Sequence, residues 1–180
     1  MSLREITKDL HTDAERTVFA KKLVTGSLTT EEYANYLWQM VLVYNGIEVA
    51  ANSQGMLKNL PDIERAHKIY QDCIELVGPN HNLKWLPDTI SYYQYLLALN
   101  YNSERKHLVK AHLYCRHMGD LFGGQIIAKK CPGQGRFYQF KDAENLKTSI
   151  RAELTDDLGD EARVAFQWAI KIMKALNTDE

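Results

Sequence analysis

His112-Leu-Tyr-Cys-Arg-His-Met-Gly-Asp-Leu-Phe-Gly-Gly-Gln-Ile-Ile-Ala-Lys-Lys130 has the composition of one uninterrupted helix, apart from its glycines, Gly119, Gly123 and Gly124. A glycine inside a helix costs about 1 kcal/mol relative to alanine, so this clustering needs a compensating reason. At about 100° per residue the three glycines fall within an arc of about 140°, and Asp120 projects from the same arc. One side of the helix should therefore be almost bare backbone beside a carboxylate. Small residues four apart also serve close helix packing, but a packing face has little use for a charge it must desolvate. The pattern predicts a helix against which something broad and flat can lie.

The flanking sequence is helical too. Ser2 caps a first helix whose Leu3, Ile6, Leu10, Ala14 and Val18 recur at helical spacing as far as Thr25-Gly26. Thr29 and Glu32 form a capping box for a long helix from Thr30 to about Asn52, with Tyr33, Tyr36, Leu37, Met40, Val41, Tyr44 and Ile47 as its buried stripe. Pro61 starts a helix that runs to Val77 and stops at Gly78-Pro79, and Pro87 starts another to about Tyr101. Ser103 is expected to cap the glycine-bearing helix, and Cys131-Pro-Gly-Gln-Gly135 to end it. Phe137-Tyr-Gln-Phe140 reads as a short extended piece, Asp142 caps a helix to about Leu154, and Asp160 to Leu176 forms the last one. With no alternating strand pattern and no internal repeat, the expected fold is all-α, a single-domain helical bundle over residues 1–180.

The chain's 180 residues and 45% hydrophobic content suit one domain large enough to enclose a ligand. Lys and Arg number 22 against 23 Asp and Glu, so no global field favours nucleic acid or an acidic membrane. Cys73, Cys115 and Cys131 are odd in number and lack metal-ligand spacing, which points to reduced thiols in a cytoplasm. No secretory signal and no run of about 18 apolar residues is present, so a soluble protein is expected.

On the first helix His11 lies about 80° from the centre of the apolar stripe, at the border of the core. Alone, such a histidine is as readily a packed surface residue. Glu15, four residues on, can engage one ring nitrogen and leave the other free and more basic for an iron. Arg4, two turns back, stands about 10 Å from the imidazole by helix rise. Lys147 and Arg151 form a second cationic pair at i, i+4, which in isolation reads as a solvated face. With the glycine-lined helix, these residues suggest a ligand that is planar, metal-bearing and dianionic; heme meets all three requirements.

Leu3-Arg-Glu-Ile-Thr-Lys-Asp-Leu-His-Thr-Asp-Ala-Glu15 and Ala111-His-Leu-Tyr-Cys-Arg-His-Met-Gly-Asp-Leu-Phe-Gly-Gly-Gln125 resemble the two signature segments of heme oxygenases. The similarity extends more weakly along nearly the whole chain. It implies the heme oxygenase-like all-α bundle, with heme between the first helix and the glycine-bearing helix. His11 is implied as the proximal iron ligand, with Glu15 its hydrogen-bond partner. Gly119, Gly123 and Gly124 are implied as distal backbone, and Asp120 as the anchor of a water network over the iron. Arg4, Lys147 and Arg151 are implied for the propionates, and Tyr114 and Arg116 for the outer lining of the pocket.

The implied reaction is oxidative opening of heme b, at once substrate and cofactor, to biliverdin, most simply the IXα isomer, with release of ferrous iron and carbon monoxide. It consumes O2 and electrons from an external donor. The chain ends at Glu180 without the apolar tail of membrane-anchored members, so a soluble donor such as ferredoxin is expected, with a bilin reductase possible downstream. Neither nucleic acid nor a membrane is an expected partner. Four positions depart from the family pattern: Phe122 stands where serine is usual, Cys115 and His117 where threonine and tyrosine are common, and Ala169 where many members carry asparagine.

Rival readings exist. Glu64-Arg-Ala-His67 and Glu104-Arg-Lys-His107 are Glu-x-x-His motifs of the kind that bind paired irons in helical bundles. Glu64 lies about 130° off its helix's apolar stripe and Glu104 falls in a charged first turn, so neither reads as an inward ligand. His112 lies on the glycine arc and is the alternative to His11, read as a supporting residue. Cys131-Pro132 resembles heme-responsive Cys-Pro motifs but also serves as a helix stop. A heme-binding or sensing protein without turnover needs only His11 and the pocket.

Overall fold

Threonine hydroxyls cut the N-terminal helix into three. A computed structural model describes residues 2–177 and gives α1 (Leu3–Ile6), α2 (Lys8–Arg16) and α3 (Val18–Thr25) where the sequence predicts one helix. Thr7 Oγ1 donates to the Leu3 carbonyl at 2.8 Å, and Thr17 Oγ1 donates to the Ala14 carbonyl at 2.9 Å and also accepts from the Ala20 amide. Such side-chain bonds compete with the helix ladder and let the chain turn. Arg163 grips the first joint, taking the Ile6 carbonyl at 2.7 Å and both oxygens of Asp9 at 2.7 and 2.8 Å. The segment ends at Gly26, whose φ of 72° and Cβ direction, 2.8 Å from Lys130 Cβ, both require glycine.

The centre of the bundle is α4 (Thr30–Ser53), opened by the predicted capping box and buried on most of its circumference. Around it pack α5 (Ala66–Val77), α6 (Pro87–Tyr101) and α7 (Val109–Phe122). Beyond α7 lies α10 (Gly159–Leu176), which carries α2 on its outer side. The short α8 (Gly124–Ile127) meets α3, and α9 (Ala143–Ala152) leans on α7. No strand is present among the described residues, and none of their helices is long and apolar enough to cross a membrane. The reading of the chain's end at Glu180 lies outside the described residues.

Other boundaries differ from expectation for identifiable reasons. α5 begins at Ala66 rather than Pro61, because Glu48 reaches from α4 to cap it, accepting from the amides of Arg65 and Ala66. Ser103 is not a cap: Asn102 Oδ1 holds the turn by accepting from the amides of Glu104 and Arg105, and a 3-10 turn, Lys106–Leu108, leads into α7. Phe137 is not extended. Asp72 accepts the Phe137 amide at 2.8 Å and folds Arg136–Tyr138 into another 3-10 turn. The glycine-bearing helix breaks at Gly123, where the Gln125 side-chain amide donates to the Asp120 carbonyl at 3.2 Å.

Candidate functional site

The first segment spans α7 without lying flat on it. At one end Leu3 and Ile6 of α1 pack with Ala111, Tyr114 and Cys115 of α7; at the other, α3 meets α8, where Lys130 Nζ donates to the Val24 carbonyl. Between these supports α2 packs on α10. α10 also packs on α7, so it stands between α2 and α7 and joins the two.

On the α7 side the glycines divide the work. A Cβ added to Gly119 would meet no heavy atom within 4 Å, and one at Gly123 would touch only the Gly119 carbonyl at 3.5 Å. Gly124 is turned inward: its Cβ would stand 2.6 Å from Tyr138 Cδ1. The expected arc of three is thus two glycines on the open face and one that lets Tyr138 pack, because Gly123 keeps helical angles and the normal rotation of about 100° per residue carries Gly124 round to the core side.

Asp120 also turns inward. It is 8% exposed and accepts from the Tyr44 hydroxyl at 2.5 Å. Burial pushes its carboxyl up to about 7, although Tyr44 and the nearby Arg116 and Arg65 pull the other way. At neutral pH it therefore exchanges a proton readily. Beside it Arg116 buries Nε and Nη2 with no geometric hydrogen-bond acceptor, its guanidinium carbon 5.6 Å from the Tyr92 ring centroid and its charge acting on the Tyr92 hydroxyl, which leaves those donors for a bridging water. Glu48, similarly buried, is pushed up to about 7 as well.

On the α2 side His11 keeps more than half its side chain exposed, and its ring meets Phe166 of α10 edge-on at 5.6 Å. Glu15 lies 3.6 Å from Nδ1, within ion-pair range but longer than a hydrogen bond. Arg4 and Arg151 both lie near enough to the Tyr114 hydroxyl to counter the burial that raises its pKa, so two of the predicted cations flank Tyr114. Lys147 joins them through Phe122, over whose ring both Lys147 and Arg151 sit.

The departing residues separate in the same way. Cys115 faces α10, its Sγ donating to the Ala162 carbonyl at 3.6 Å, with burial pushing the thiol to about 12. His117 is buried against Tyr44, ring centroids 5.2 Å apart, and burial lowers it to about 4, so it stays neutral. His112, the alternative ligand, spends both nitrogens inside the core, Nδ1 on the Tyr92 hydroxyl at 2.7 Å and Nε2 on Glu161 at 2.9 Å. Glu64, His67, Glu104 and His107 are exposed, and no group of three or more metal-capable side chains forms among the described residues. Cys131 is half-buried at the end of the turn after α8, its Sγ on the Ala128 carbonyl.

Sequence reasoning missed Tyr44, Phe166 and the role of Arg163. Tyr44 was visible only as part of the buried stripe, yet a buried tyrosine hydroxyl needs a polar partner, and that requirement was the signal available. Taken together, exposed glycine backbone on α7, an accessible imidazole on α2 and three cations near Tyr114 and Phe122 are the chemistry that a flat, iron-bearing dianion requires.

A sequence model described as Heme oxygenase matches residues 1–175. The heme oxygenase of Rhodella violacea is 26% identical over 204 residues, covering 99% of this chain and 87% of its own. Heme oxygenase 1 of Nostoc sp. is 27% identical over 201 residues, with 97% and 84% covered. The crystal structure of heme oxygenase-1 from the cyanobacterium Synechocystis sp. PCC6803 in complex with heme superimposes with a TM-score of 0.86 at 25% identity, covering 97% of this chain and 90% of that one.

Proposed function

This chain belongs to the heme oxygenase family, and on that premise we propose that it opens heme to biliverdin, as the IXα isomer, releasing ferrous iron and carbon monoxide with O2 and electrons from a soluble donor such as ferredoxin. Bound heme would supply both the iron that activates O2 and the macrocycle that is opened.

The chain's own residues bind, orient and deliver protons. His11 offers Nε2 as proximal ligand while Glu15, beside Nδ1, favours the neutral tautomer with its proton on that nitrogen. Gly119 and Gly123 let the α7 backbone approach the ring face, which any side chain would hold away. Arg4, Lys147 and Arg151, with Tyr114, receive the propionates. Asp120, held by Tyr44 and with its carboxyl near 7, takes up and releases protons to water that the Arg116 donors help to fix, from which bound heme would draw them. Gly124 supports this wall through Tyr138 rather than touching the ligand. The free cysteines suit a cytoplasmic setting, and the linear product is a substrate for a bilin reductase.

The observation that carries this reading is the open backbone of Gly119 and Gly123 beside the buried Asp120–Tyr44 pair. The test is turnover: hemin-loaded protein supplied with oxygen, ferredoxin, its reductase and NADPH should lose its Soret band and yield biliverdin and carbon monoxide. Retention of intact heme with electrons flowing would leave a binding protein without turnover.

A further inference from the structure

Phe122 closes α7 with 49% of its surface exposed, beside the open backbone of Gly119 and Gly123. From α9, Lys147 Nζ stands 4.3 Å from the centroid of its ring and the Arg151 guanidinium carbon 5.6 Å from it. Two cations gathered at one ring repel each other. Glu144, 2.7 Å from Lys147 Nζ, offsets one of them, and Arg151 has no carboxylate partner among the described residues. The ring quadrupole attracts an ammonium or guanidinium over its face and so restricts where these long side chains can place their charges.

A flat disc held between a helix backbone and one imidazole is fixed in tilt but not in rotation about the axis through its centre. Glycine backbone has no side chain to notch into the rim, so the rotation is set by contacts at the edge. Lysine and arginine on free stems would follow a rotated edge, whereas charges held at one ring cannot.

We propose that Phe122 is a positioning residue that sets the in-plane orientation of bound heme by holding Lys147 and Arg151 as a two-point clamp for its carboxylates. The proposal rests on the heme reading above. It makes Phe122 a determinant of which meso carbon lies against the Gly119–Gly123 backbone, and hence of which isomer forms.

Two variants test it, Phe122→Leu, which keeps an apolar side chain without the ring, and Phe122→Tyr, which keeps the ring. In the heme-free protein, ring-current shifts of the Lys147 ε and Arg151 δ protons should vanish with leucine and persist with tyrosine. With hemin and cyanide bound, the proton spectrum of the heme methyls reports the seating directly. Each ring contact is worth roughly two- to fivefold in population, so leucine should raise a second seating by at least that factor, with a parallel change in isomer ratio. Tyrosine should restore the wild-type pattern. Methyl spectra and isomer ratios in Phe122→Leu that match wild type overturn the clamp alone; failure of the wild-type protein to take up hemin overturns the heme reading and the clamp with it.

Discussion

Replacing Gly119 with alanine should make the heme-free protein more stable and its heme complex weaker. The added Cβ meets no heavy atom within 4 Å, so the folded state accepts it without strain. The helix then gains the usual glycine-to-alanine difference, about 0.5–1 kcal/mol, which for a chain of this size raises Tm by roughly 1–4 °C. The same methyl stands on the α7 face proposed to receive heme, and lifting a planar ligand off the backbone should cost at least about 1.4 kcal/mol, a tenfold loss of hemin affinity. Gly124→Ala is the internal control. Its Cβ would lie 2.6 and 3.0 Å from Tyr138 ring atoms, and such overpacking costs about 1–3 kcal/mol, so Tm should fall. Thermal melts of the heme-free variants, followed by hemin titration at the Soret band, give both numbers. A drop in Tm for Gly119→Ala would refute the open face, and a rise in Tm with unchanged hemin affinity would refute the placement of heme against it.

Asp120→Asn should change how stability depends on pH. The Asp120 carboxyl is raised from 3.8 to about 7 in the folded protein, so its protonated form favours folding and that contribution is lost as pH rises through 7. Asparagine does not titrate, so urea denaturation should show the variant gaining on wild type by about 1.4 kcal/mol per pH unit between pH 5 and 7; parallel curves would contradict the assignment. The same variant should bind hemin but lose most biliverdin yield in single-turnover assays, and an unchanged yield would remove Asp120 from proton delivery. Arg163→Met should free the α1–α2 joint, seen as faster amide exchange over residues 3–11 and faster hemin loss at unchanged helix content. Wild-type exchange in that variant would show the grip to be incidental.

The helices themselves were legible because apolar spacing and caps act locally. The Thr29–Glu32 box, Pro87 and Asp142 start helices where the sequence places them. What escaped were features decided across the fold. Thr7 and Thr17 look like ordinary helix residues until Arg163 and the packing of α10 make the bends favourable. The cap on α5 comes from Glu48 on another helix, and the turn at Phe137 from Asp72. A helical wheel put Gly124 and Asp120 on one arc with Gly119, but they stand about 140° and 100° round it, where Tyr138 and the Tyr44 hydroxyl hold them in the core. Helical spacing singled out Arg4, Lys147 and Arg151, and the family resemblance supplied their propionate role; what brings them near one another is Tyr114 and Phe122, which spacing alone does not connect.

Catalysis as proposed requires an imidazole at position 11 facing a bare stretch of α7 across a flat ligand. The most direct measurement is the ferric absorption and resonance Raman spectrum of hemin-loaded His11→Ala, recorded with and without added imidazole. The iron–histidine signature should be lost and should return when free imidazole enters the space left by the side chain. A spectrum identical to wild type without imidazole would place the ligand elsewhere and contradict the proposal.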